Sequence, residues 1–351
     1  MTVTAKRVAW KMAAIFIGLA AAGLVAAAFG RGVVPFYRAL ALGAFGGAGP
    51  LIATLAKTAP LILAGLAVAV PLRGGLFNVG GEGQMYVGAL VTVTASFVFA
   101  PLPAFAAAPL ALLAGALGGA GYASAAGVLK SRYGVHEVVS TIMLNFVALH
   151  ATAYLANHGP LAAAGGLGRT MDVPFAARLP VLLSHKAWEL SAAIFVALAA
   201  AAVAWWFVDK SVQGYRLRAA GGNPLAASRK GINLRRTTLV AMAAAGAAAG
   251  LAGAVEVAGH EHFVSVGFSS DYGFDGIAVA LLAGASIPAV PLAAFLFAAV
   301  RSAGSALQLD AGLSPEVIFV IEAVIVVAAA VPEVPGIFAR LRPRVAPAAE
   351  A

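Results

Sequence analysis

Two polar stretches interrupt an otherwise apolar chain and hold its candidate chemistry. In the run from Gly74 to Gln84, the side chains Asn78, Glu82 and Gln84 stand among the glycines Gly74, Gly75, Gly80, Gly81 and Gly83. So many glycines predict irregular backbone, whose freed carbonyl and amide groups need polar partners. The three side chains therefore either meet a polar solute or satisfy the backbone around them. In the second stretch, Glu137, Thr141 and Asn145 recur every four residues and share one face of a helix. A polar stripe entering an apolar segment faces protein or a water-filled path. Thr141 and Asn145 are candidates for that path or for hydrogen bonds between helices, while Glu137 has Lys130 and Arg132 within reach as ionic partners. Asp275 opens a short apolar stretch, where it caps a helix or lines the path, and capping is the favoured reading.

Other chemistries are excluded or weak. The chain has no cysteine, so thiolate metal sites, disulfides and cysteine nucleophiles are ruled out. None of its lysines both follows a glycine and precedes Ser or Thr, so it lacks a phosphate-binding loop of that kind. His260 and His262 are two residues apart, poor spacing for zinc, and read as an exposed loop. No cofactor is expected on this chain. Arg301, deep in an apolar run, needs a carboxylate partner, with Glu322 a candidate by depth.

The elements that must position these residues are membrane helices. Hydrophobic residues make up 62% of the 351 and charged residues 11%, against roughly 25% charged in soluble domains. Apolar runs predict segments at 8–29, 51–72, 83–100, 104–129, 138–156, 187–208, 237–258, 274–285, 290–309 and 316–331. The expected fold is an all-α polytopic integral membrane protein, a single transmembrane domain over 1–351, with about ten segments. The eighth is short enough to be broken or re-entrant. Gly246 and Gly250, four apart, predict close helix packing within the chain.

Alternating ten segments from an N-terminus inside puts sixteen Lys and Arg residues on the inner side. Only Arg31, Arg38, Arg169, Arg178 and Lys186 fall outside. That bias places both termini in the cytoplasm of a multi-pass cell-membrane protein. It also explains the net charge of +9 without nucleic acid as a partner. The loop 157–187 then lies outside, and the basic loop 209–236 inside.

Within the inner loop, Asn223-Pro224 starts a helix that runs through Leu225, Ala226 and Ala227 to Arg229 and Lys230, and Gly231 stops it. On residue types alone it is either a docking element or a basic loop held by anionic lipid.

The motifs carry a resemblance. The stretch Pro60 to Ala69 leading into Gly75 to Gln84 resembles permease subunits of ABC importers in the branched-chain amino acid and simple sugar superfamily. The runs Glu137 to Asn145 and Gly273 to Leu282 resemble its nucleoside-uptake branch. The resemblance implies a cytoplasmic ABC ATPase subunit that uses ATP, a second homologous permease subunit and an extracytoplasmic solute-binding lipoprotein. It also implies that 223–231 is the coupling helix, with Leu225, Ala226 and Ala227 giving shape and Arg229 and Lys230 charge. The chain departs from the family's pattern at Ala283 to Pro288, where a more polar turn is usual. Alternatives are a ribose-type sugar or branched-chain amino acid permease, or an ion-gradient transporter using Glu82, Asp275 or Glu322.

Overall fold

The computed structural model describes residues 17–165, 168–186, 188–265 and 267–330. The basic residues Lys6, Arg7, Lys11, Arg340, Arg342 and Arg344 lie outside the described residues. The chain divides into a larger unit, 44–302, and a smaller one, 1–43 with 303–351.

In the smaller unit, helix α1 is described over Ile17–Ala28. It is followed by α2, Val33–Phe45, most of which belongs to this unit. The apolar pattern did not predict α2, because 13 residues rise only about 20 Å and fall short of a span. The Tyr37 hydroxyl donates to the Leu19 carbonyl at 2.8 Å and ties α2 to α1. After the larger unit, the chain returns with a short helix, Gly304–Leu309, and a final one, Pro315–Ala330.

The larger unit is built around α3, Ala48–Leu72. Beyond Lys57 and Thr58 this helix is apolar on every side, the mark of a helix that is itself core. From Thr58 to Pro71 every residue is buried. Against it pack α7 (Ala193–Trp205), α10 (Leu234–Glu256), α11 (Tyr272–Leu282) and α12 (Val290–Ser302). On the far side of α10 lie α4 (Gly81–Phe99) and α5 (Ala104–Tyr133), with α6 (Glu137–His158) beside α4.

The seam between α10, α4 and α5 is made by glycine. A side chain on Gly246 would overlap the Gly119 carbonyl, and one on Gly250 would come within 2.5 Å of the Gly115 carbonyl. The Gly246 and Gly250 pair is thus used for packing inside the chain, as its spacing predicted. In lipid, where burial of apolar surface drives nothing, such close backbone approach supplies the association.

Among the described residues, six helices are long and apolar enough to cross a membrane: 48–72, 104–133, 137–158, 193–210, 234–261 and 287–309. The ten expected segments are not all recovered at that length. α4 fills its predicted place, but its first turn holds Glu82 and Gln84. α11, with 11 residues, rises about 16 Å and is too short to cross alone.

The region 157–192 differs most from expectation. Instead of an extended loop followed by a helix at 187, it forms an antiparallel hairpin of β1, Val181–His185, and β2, Trp188–Ser191. Helix α7 starts only at Ala193. The apolar run from Trp188 reads as a membrane segment by composition, but Leu190 and Ser191 are buried as strand residues.

Candidate functional site

Asn78, Gln84, Thr141 and Asn145 converge on one buried polar hub, drawn from two separate stretches of sequence. Its origin is a proline. Pro71 has no N–H, so the carbonyl of Ala67, four residues back, loses its helical partner. The Asn78 Nδ2 fills that gap, donating to the Ala67 carbonyl at 3.1 Å. It also donates to Gln84 Oε1 at 2.9 Å, while Asn78 Oδ1 accepts from Gln84 Nε2 and the Gly80 amide, each at 3.0 Å. All four hydrogen-bonding positions of the Asn78 amide are used.

From α6, Asn145 accepts from the Gly83 amide and donates to the Val79 carbonyl, both at 2.9 Å. Thr141 accepts from the Val79 amide at 3.3 Å and donates to the Glu137 carbonyl at 2.7 Å. Gly83 permits this approach, since a Cβ there would stand 2.8 Å from the Asn145 Cα. At the start of α6, Glu137 pairs with Lys130 at 2.7 Å, one of its two anticipated partners.

Glu82 points the other way, to the N-terminus of α11. It accepts from the Ser269 hydroxyl and from the Gly273 amide, the latter at 2.9 Å. A carboxylate at a helix N-terminus meets unpaired N–H groups and the positive end of the dipole. Glu82 thus caps α11 from another helix. That corrects the expectation for Asp275, which does not cap. Asp275 instead forms an ion pair with Arg301, whose guanidinium also lies over Tyr272 at 4.7 Å and donates to the Ser270 carbonyl. Sequence reading missed Ser269 and Tyr86. The Tyr86 hydroxyl accepts from the Gly267 amide at 2.9 Å, and its ring meets Phe268 edge-on at 4.9 Å.

The second candidate region, 209–236, holds two helices where one was expected. The first, α8, spans Val212–Gly222 and the second, α9, spans Pro224–Arg229. Asn223 caps α9, its Oδ1 accepting from the Ala226 amide at 3.0 Å, and Pro224 occupies the first turn. Gly231, at φ +82°, stands just after the end. Leu225, Ala226, Arg229 and Lys230 face outward and Ala227 is buried, so α9 presents an apolar tip flanked by two cations.

What spacing could not show is how α8 meets α3. Gly75, at φ +73°, lies against Gly221, where a Cβ on either residue would press on the other's loop. Asp209 pairs with Arg73 at 3.5 Å and with Arg218 at 3.6 Å. Beside this contact runs a groove of about 490 Å³ lined by Gly75, Lys130, Leu217, Pro224, Arg235 and Thr238. The α8–α9 element and the Asn78 loop are therefore joined through three residues, Arg73, Gly74 and Gly75.

Residues 51–330 match the profile described as branched-chain amino acid transport system / permease component. The guanosine ABC transporter permease protein NupP of Bacillus subtilis is 38% identical, over 89% of this chain and 90% of its own. The nucleoside ABC transporter permease protein NupB of Lactococcus lactis is 31% identical, over 92% of this chain and 90% of its own. The glucose ABC transporter permease protein TsgB13 of Haloferax volcanii is 32% identical, over 79% and 74%. No solved structure matches significantly.

Proposed function

The chain belongs to the family of branched-chain amino acid transport system permease components, and we propose that it is the membrane-spanning permease subunit of an ATP-driven importer of nucleosides. The observation that carries the substrate class is the 38% identity with a guanosine permease across nearly all of both chains. A likeness of that extent covers the hub, α9 and every long apolar helix together.

In this reading the chain is conduit and lever, and ATP is hydrolysed by a partner ATPase subunit. The outward-facing Leu225, Ala226, Arg229 and Lys230, with Asn223, Pro224, Ala227 and Gly231 shaping the turn, form the surface that enters the ATPase. The α9 side is cytoplasmic, as the basic loop favours. A second permease subunit completes the path, and a binding lipoprotein delivers the solute to the other face. The ten-segment topology belongs to this reading, with the short α11 as a half-span.

In this reading Asn78, Gln84, Thr141 and Asn145 support the path from behind and do not bind the solute themselves, since their polar atoms are engaged with one another and with backbone. Glu82 and Asp275 hold the two sides of the α11 N-terminus. Alternating access requires only that ATP-bound and ATP-free partner states favour different packings by a few kcal/mol.

A sugar substrate is the second reading, supported by the likeness to a glucose permease. Uptake of labelled guanosine by cells carrying the complete transporter separates the two. Competition by excess adenosine or uridine, with none by glucose, ribose or leucine, is expected. Competition by glucose alone would transfer the assignment to sugars.

A further inference from the structure

A separate cluster of ligand-bearing side chains lies at the end of α10 farthest from α9. There the helix ends at Glu256 and continues as one π-helical turn, Val257–Glu261, followed by the His262 amide donating to the Val257 carbonyl at 3.0 Å. In a turn with i→i+5 bonding, residues four and five positions on return to the same side. Glu256, His260 and Glu261 have that spacing, and one ligand atom from each lies within 4.8 Å of the others.

Glu256 is the telling member. It is 7% exposed and, among the described residues, no side-chain hydrogen bond or close ion pair reaches its carboxylate, which Lys57 and Arg301 attract only through space. It lines a cavity of about 40 Å³ together with Lys57, Pro60, Trp188, His260 and Tyr272. A buried carboxylate stays ionised only where a cation offsets the cost of desolvation, and otherwise takes up a proton that a bound metal ion would displace. Both of those cations also serve other groups: Lys57 donates to the Arg301 carbonyl at 3.4 Å and lies 5.4 Å from the Trp188 ring centre, and Arg301 pairs with Asp275.

We propose that Glu256, His260 and Glu261 bind a divalent transition-metal ion. Two carboxylates and an imidazole suit zinc or manganese better than magnesium or calcium, which prefer oxygen alone. The His260 Nε2 and Glu261 Oε1 are 4.0 Å apart, so closing on a metal at about 2.0–2.2 Å from each takes only a small movement of either side chain. The cavity has room for a few waters, at roughly 10–15 Å³ each, to complete the coordination. It is too small for a nucleoside, so this is not the solute's own site. The pair His260 and His262, which reads as an exposed loop in sequence, is the wrong pair: the ligand pattern is Glu256, His260, Glu261.

The test uses the full-length chain without a polyhistidine tag, purified in detergent, stripped with EDTA and titrated calorimetrically with Zn²⁺ and with Mn²⁺. One saturable site per chain is expected, at least about tenfold weaker in Glu256→Gln and in His260→Gln. His260 is on the exposed rim, so its variant should keep the metal-free elution profile and melting temperature of the wild type even if Glu256→Gln folds poorly. Absence of saturable binding of either metal would overturn the proposal. So would an unchanged affinity in His260→Gln, which would put the ion on other side chains.

Discussion

Asn78 is the residue on which most of the hub depends. Replacing it with alanine leaves the Ala67 carbonyl and both ends of the Gln84 amide without their partners. Each buried polar group left unsatisfied costs about 1–3 kcal/mol. Asn78→Ala is therefore expected to lower the melting temperature of the detergent-purified protein by several degrees and to abolish uptake. Asn78→Asp keeps the acceptor and loses the donors, so it should be impaired almost as much. A melting temperature equal to the wild type's would show that the hub is not structural. Glu82→Gln tests the other half of the site. The neutral amide keeps the shape but loses charge-assisted bonds worth about 1.5–3 kcal/mol each. The expected result is looser packing of the α11 start, read as faster hydrogen exchange over 269–276. Unaltered exchange there would remove Glu82 as the cap of α11.

At the scale of elements, the contact between the α3 end and α8 is where force from α9 would enter the core. A Cβ on Gly221 would stand 2.5 Å from the Arg73 carbonyl oxygen and 2.7 Å from the Gly74 carbonyl carbon, both rigid backbone atoms. Gly221→Ala therefore forces the two elements apart, at a cost of about 1–3 kcal/mol for an overpacked contact. It is expected to reduce uptake at least about tenfold while ATPase co-purification persists, because the outward face of α9 is untouched. Normal uptake would show that coupling takes another route. The legibility of these elements in the sequence was uneven. Asn223-Pro224 and Gly231 announce α9 because capping is local chemistry that spacing reveals. The four-residue period of Glu137, Thr141 and Asn145 likewise gives their common face. Glu82 as a cap on α11 was not legible, since its partners are Ser269 and Gly273, brought to it only by folding. The hairpin 181–191 was hidden for a different reason: strand residues such as Leu182 and Leu183 are as apolar as a helix flank, and too few of them alternate to mark a strand.

At the scale of the whole molecule, a hydrophobic fraction of 62% dictated a membrane protein. Composition could not assign which apolar runs cross, because α11 is as apolar as its neighbours and only half as long. The glycine seam of α4, α5 and α10 makes the larger unit closely packed. In the proposed function this unit is driven by ATP through the cations and apolar tip of α9. The most direct measurement is guanosine uptake into proteoliposomes containing the complete transporter, with ATP supplied on the ATPase side, for wild type and for Arg229→Glu with Lys230→Glu. Uptake by the wild type only with ATP, and its loss in the double variant together with ATPase co-purification, is the predicted result. Uptake that needs no ATP and follows an imposed proton or sodium gradient would contradict it.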